Sequence, residues 1–145
     1  MKCFICALGK ICLGIPTERV ERIIPVARVQ TAVYETETET ETETETETES
    51  ENRKTFISLP VLFRQKDYTA PHGIVLKSEK DAPEMILLTP RIDRDMDIPD
   101  GDIRSLPEAF TGLYLCFTGA YFYKENVIFI LDTEKTKEKT MGKTQ

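Results

Sequence analysis

The chain holds 145 residues, enough for one domain of ordinary size, and carries a formal charge of −6. That charge is unevenly placed: residues 35–51 hold nine Glu and no Lys or Arg, while the remainder, with sixteen acidic residues against nineteen basic ones, stands at +3. So weakly basic a remainder, without a Lys/Arg cluster, argues against nucleic-acid binding. Its longest apolar runs are five or six residues, as at 3–8 and 127–131, against the roughly 18 that a membrane-spanning helix needs.

Residues 2–8 read as a strand, Gly9-Lys10 as a turn and residues 11–15 as the returning strand. Pro16 ends it. Thr17 is placed to cap a helical turn in which Val20, Ile23 and Ile24 share one face. Pro25, lacking an amide hydrogen, stops that turn, and residues 26–34 read as extended. The tract at 35–51 follows: seven Glu-Thr pairs and a closing Glu-Ser-Glu. Alternation suits a pleat, but a strand of this composition sets like charges along one face and has no apolar face to bury. The tract is therefore expected to be a disordered acidic insert outside the packed fold. Its regularity is that of an expanded short repeat; a charged spacer and an acidic lure for a basic partner are the functional readings.

The strand pattern resumes at 55–59, followed by Pro60-Val61-Leu62-Phe63. Residues 65–71 form a polar loop. Residues 73–76 and 85–88 read as a strand pair joined by the polar turn 77–83, and 91–98 as a further extended stretch. Pro99-Asp100-Gly101-Asp102 is a turn, and 105–112 an irregular connection. The clearest hairpin joins 113–123 to 127–131 through Lys124-Glu125-Asn126, where Asn tolerates the left-handed conformation. The polar end is expected to fray after one or two helical turns, leaving 137–145 as a flexible tail. Lys10 interrupts the first apolar stretch too early for a secretory signal. A cytoplasmic protein with reduced cysteines is the expectation.

The chain offers no nucleophile or metal set, so neither an enzyme nor a cofactor is expected. Cys3 and Cys6 lie three apart on a strand and point to opposite faces, which suits buried small hydrophobes better than a shared ion. His72, the single histidine, has no Ser or Cys nucleophile motif beside it. The run Asp93, Asp95, Asp97, Asp100, Asp102 has Ile98 and Arg104 where a calcium loop needs Gly and a bidentate Glu. It reads as a solvated strand edge. Phe110, Tyr114, Phe117, Tyr121, Phe122 and Tyr123 could stack on single-stranded nucleic acid, but no basic stripe accompanies them, and core packing is the simpler role.

With catalysis unsupported, the order of elements carries more information. Residues 4–24, FICALGKICLGIPTERVERII, contain Gly14, Ile15, Val20 and Ile23 after a strand, a turn and a second strand. Ile57 to Leu62 carries Pro60-Val61. Towards the end come Ile98-Pro99, Ile103, Pro107-Glu108, Gly119 and Ile130-Leu131-Asp132-x-Glu134-Lys135. In this order and spacing the chain resembles the CheW-like domain of bacterial chemotaxis, over residues 1–136 apart from 29–54. The resemblance implies an all-β fold of two small five-stranded, SH3-like barrels packed on a common core. It also implies a non-enzymatic adaptor that couples the cytoplasmic signalling tip of chemoreceptors to the regulatory domain of the histidine kinase CheA, with other CheW-like domains as possible partners. Partner-facing or groove-lining positions would be Val20, Arg22, Ile23, Ile57, Leu59 and Val61. The chain departs from the family in having Arg22 for a usual Glu, Thr55-Phe56 in the places of an Arg-Gly pair, and Pro90 for an Asp. A paralogue that has lost one partner is therefore an alternative, as is a small β-barrel that binds single-stranded nucleic acid.

Overall fold

Short apolar runs, punctuated by Gly and Pro, become strands. The computed structural model describes residues 1–9, 11–41, 50–79, 82–106 and 115–141. In chain order the described strands and helices are β1 (Lys2–Leu8), β2 (Ile11–Pro16), β3 (Val20–Pro25), β4 (Tyr34–Glu41), β5 (Ser50–Ser58), α1 (Leu59–Leu62), β6 (His72–Leu76), β7 (Glu84–Thr89), β8 (Ile92–Asp97), β9 (Phe117–Tyr123), β10 (Asn126–Leu131) and α2 (Thr133–Met141). Two short 3-10 turns sit at Thr17–Arg19 and Asp100–Asp102. The strands form two five-stranded sheets, in line with the expected all-β class. The chain divides into a first unit of residues 1–20 with 90–145 and a second of residues 21–89.

In the first unit the strand order is β8-β1-β2-β10-β9. Gly9 takes φ 71 at the β1–β2 turn, a conformation that costs an L side chain energy and glycine none. Between β2 and β10 the pairing is parallel, Ile11 with Val127 through Gly14 with Ile130. Cys3, Ile5, Ile98, Ile128 and Ile130 form a core cluster, with Cys12, Met96, Ile103, Tyr121 and Tyr123 packed against it. The sheet order is open. Beyond β8, however, Arg104 exchanges two 2.9 Å backbone hydrogen bonds with Ala120, which brings the chain back to the outer edge of β9. A Cβ at Gly119 would lie 2.5 Å from the Arg104 carbonyl oxygen, so this approach depends on glycine.

The second unit orders its strands β3-β6-β7-β5-β4. Central β7 buries Met85, Ile86, Leu87 and Leu88 in succession, which is the run of a strand covered on both faces. Fully burying a side chain such as Leu87 is worth about 1.5–3 kcal/mol. Phe56, Ala70, Val75, Ile86 and Leu88 make this unit's core cluster, with Ile24 and Val26 against it.

Several elements differ from the sequence expectation, each for a local reason. Val20, Ile23 and Ile24 lie on strand β3, not on a helical turn; only Thr17–Arg19 is helical, as a 3-10 turn. Residues 59–62 form α1 where a strand was expected. Ser58 caps it through its hydroxyl, which accepts from the Val61 amide at 3.3 Å, and Pro60 sits in the first turn, where no amide hydrogen is needed. In the β9–β10 turn it is Lys124 that takes positive φ, 55°, while Asn126 pairs with Tyr123. Helix α2 runs to Met141, beyond the expected start of a flexible tail at 137.

The largest difference is in the tract. Glu35 to Glu41 lie in β4 and Ser50-Glu51 open β5, paired antiparallel from Tyr34 with Ile57 to Glu41 with Ser50. The expected disorder is therefore corrected for these residues, while 42–49 lie outside the described residues. Opposite charge supports the strand at Glu35 and Glu37. The Arg28 guanidinium pairs with both Glu35 and Glu37, and Glu37 stands opposite Lys54 across the ladder. Like-charge repulsion along one face is thus met by cations at the base of the hairpin.

Candidate functional site

The anticipated contact positions separate into exposed and core residues. On β3, an edge strand of its sheet, Ile23 is 41 % exposed and Arg22 is exposed, while Val20 is half-buried. Arg22 reaches Glu84 at 3.4 Å and Glu21 at 3.3 Å. Val61 is half-buried on α1. Ile57 and Leu59 are both 0 % exposed. Both are fully buried in this structure. The reason is position: Ile57 stands on β5 between β4 and β7, paired with Tyr34 on one side and Leu87 on the other.

A surface that sequence reasoning missed lies in the second unit. Segments 26–29 and 67–71 run side by side, joined by the Val26 amide donating to the Pro71 carbonyl at 3.0 Å. They enclose a groove of about 390 Å³. Its apolar lining includes Val26, Ala27, Val29, Tyr68 and Ala70. Val29 is 89 % exposed and Tyr68 is 42 % exposed. The only sequence signal for it was the presence of these two apolar residues in stretches read as extended chain and polar loop.

Two charged side chains border the groove. Asp67 accepts from the Thr69 amide at 2.9 Å and the Thr69 hydroxyl at 2.6 Å, and these bonds hold its carboxyl below the usual carboxylate range. Arg28 lies over Phe56, its guanidinium carbon 4.0 Å from the ring centroid, and its charge is engaged by Glu35 and Glu37. Behind them Gln30, 2 % exposed, donates its amide to the carbonyls of Ala32, Val33 and Phe56. That fixes the path of the chain between the groove and β4.

The remaining sequence candidates are structural in their surroundings. Cys3 and Cys6 are both 0 % exposed on β1, and burial pushes the Cys3 thiol up to about 11. On β8, Asp95 is paired with Lys2 at 3.0 Å, whose hydrogen bond and charge lower its pKa. His72 is exposed at the start of β6, opposite Thr89. Among the aromatics proposed for stacking, Phe117 packs on Phe129 at 5.6 Å, and Tyr121 and Tyr123 pack against the first core. Phe122 alone of the described ones is exposed, at 57 %, with Arg104 5.4 Å from its ring. Phe110 and Tyr114 lie outside the described residues. Among the described residues no group of three or more His, Cys, Asp or Glu is placed to hold a metal ion, and no helix is long and apolar enough to cross a membrane.

No family model and no curated protein matches this sequence. Among solved structures the chain is similar to the scaffolding protein TtCheW from Thermoanaerobacter tengcongensis, with a TM-score of 0.61 at 13 % sequence identity. The similarity covers 90 % of this chain and 83 % of that one. Among the described residues ten strands form two five-stranded sheets, and with the similarity to that scaffold over 90 % of the chain they give it the CheW-like fold.

Proposed function

We propose that the chain is a non-enzymatic adaptor of chemotaxis signalling, which couples chemoreceptors to the histidine kinase CheA through protein–protein contacts in the cytoplasm. The observation that carries this reading is the similarity to a CheW scaffolding protein over 90 % of the chain. The surface agrees with it. An edge strand that exposes Ile23 beside Arg22 offers an apolar contact with a polar rim. The contact positions are then Val20, Arg22 and Ile23 on β3 and Val61 on α1, while Ile57 and Leu59 are buried. Arg22 reverses the charge that the family usually has there, and its pairing with Glu21 and Glu84 makes it part of the polar rim.

The test is a pull-down of the full chain against the kinase regulatory domain and, separately, a receptor signalling-tip fragment. Capture of both is the expected result, reduced at least roughly tenfold for one of them by Ile23→Asp, since burying an unpaired charge at an interface centre costs more than about 1.4 kcal/mol. Capture of only one identifies a paralogue that has lost the other partner. Capture of neither removes the coupling role and leaves the fold untouched.

A further inference from the structure

From Ile23 to Gln30 the side chains alternate between two environments. Ile24 and Val26 pack against the second unit's core cluster. Arg28 covers the Phe56 ring of that cluster, and Gln30, 2 % exposed, bonds to the Phe56 carbonyl. Between them Ile23, Pro25, Ala27 and Val29 are all exposed, Val29 at 89 %. At the rise of extended chain, about 3.3 Å per residue, this apolar ridge is roughly 20 Å long. Its far end borders the groove, where Tyr68, 42 % exposed, stands on the facing segment. Five large apolar side chains are exposed among the described residues, and three of them, Ile23, Val29 and Tyr68, thus belong to one surface. Apolar side chains gathered in this way mark a protein contact more strongly than the same side chains scattered.

The charges beside the ridge say what fits it. Arg22 is engaged by Glu21 and Glu84, and Arg28 by Glu35 and Glu37. Asp67, bonded to Thr69, has Lys66 next to it in the chain. Neither sign prevails, so charge does not select the occupant, and an occupant that carried a charge onto the ridge would lose its hydration without gaining a counter-ion. Strand addition is disfavoured as well. The Val26 amide donates towards β6, to the Pro71 carbonyl, so the neighbouring position on the open side is that of Pro25, which has no amide hydrogen to offer. From these observations we infer that the ridge, together with Tyr68, docks an uncharged apolar strip of a partner protein, side chain against side chain. This rests on the adaptor reading and extends its contact surface from β3 through Ala27 and Val29 to Tyr68.

The experiment titrates the labelled full chain with the kinase regulatory domain and, separately, with the receptor signalling-tip fragment, read by fluorescence anisotropy. Val29→Asp and Val29→Lys alter one side chain that is 89 % exposed, and melting curves check that both variants are folded. Each is expected to weaken binding of the same partner by about tenfold or more, because a charge of either sign is then buried unpaired. Ala27→Asp should weaken that partner too, and Val29→Ile should leave it bound. Undiminished binding by both charged Val29 variants overturns the inference, while binding by the parent keeps the adaptor reading. Weaker binding with one sign and tighter binding with the other also overturns it, because the occupant is then charged. Sedimentation of the chain alone tests a second copy as the occupant: a dimer that Val29→Asp dissociates would overturn the assignment to a different protein. If the parent binds neither partner, the adaptor reading falls and this inference falls with it.

Discussion

Arg28 does at residue scale what no pattern in the tract could do. One guanidinium covers the Phe56 ring and pairs with two carboxylates on the strand it faces. It lies several residues upstream of the alternation it stabilises, so a reading confined to the tract sees only repulsion. Cys3 shows the opposite case, a residue whose role was legible because strand alternation already set it in the core. Its titration has a measurable consequence. The folded thiol ionises at about 11, above the value of 9.0 for an unburied one. A group whose pKa is raised by folding contributes its full stability below the unfolded value and loses it as pH climbs to the folded one. Stability is therefore expected to fall between pH 9 and about 11 through this group. In denaturant titrations across that window, Cys3→Ala should lose less stability than the parent; equal slopes would show that Cys3 takes no part.

At the scale of elements, legibility followed local information. Strand β1 was readable to its boundaries, and β6, β7 and β10 nearly so, because consecutive apolar residues between turn formers admit few alternatives. β3 was read as a helical turn because Val20, Ile23 and Ile24 fit a helical period as well as an edge strand, and the strand's partner, β6, lies far along the chain. α2 extends past its expected end for a reason hidden in polar residues. Thr133, Thr136 and Thr140 are buried, and Asp132 caps the first turn by accepting from the Lys135 amide at 3.0 Å. Thr136 is the anchor: its hydroxyl accepts from the Cys116 amide at 3.0 Å and donates to the Cys116 carbonyl at 3.4 Å. Thr136→Val keeps the shape and strands the Cys116 amide, while the Cys116 carbonyl keeps the Asp132 amide at 2.8 Å, at a cost of about 1–3 kcal/mol. Thr136→Ser should restore most of this. Thermal melts of the two variants check it, and a Val variant as stable as the parent would show the exchange to be worth nothing.

For the whole molecule, the fold class and the family resemblance were legible because they rest on the order of strands, which survives at 13 % identity. The candidate site was less so. Which apolar residues face solvent depends on what packs over them, and this is why Ile57 and Leu59, read from sequence as partner-facing or groove-lining, are fully buried in the structure. The second unit is one continuous stretch, whereas the first is built from both ends of the chain. Closing a longer loop costs more entropy before any contact compensates. In pulse-labelled refolding, amides of the β6–β7 pair are accordingly expected to gain protection before those shared by β2 and β10; the reverse order would contradict this.

The parallel pairing of β2 with β10 also bears on how the protein is made. Ile11 to Gly14 leave the ribosome more than a hundred residues ahead of their partners, Val127 to Ile130. Throughout synthesis of everything between, the β1–β2 hairpin keeps one edge open to the crowded cell, with Leu13 and Ile15 still uncovered by their final neighbours. During that delay the hairpin is open to wrong pairing and in need of a chaperone's shelter.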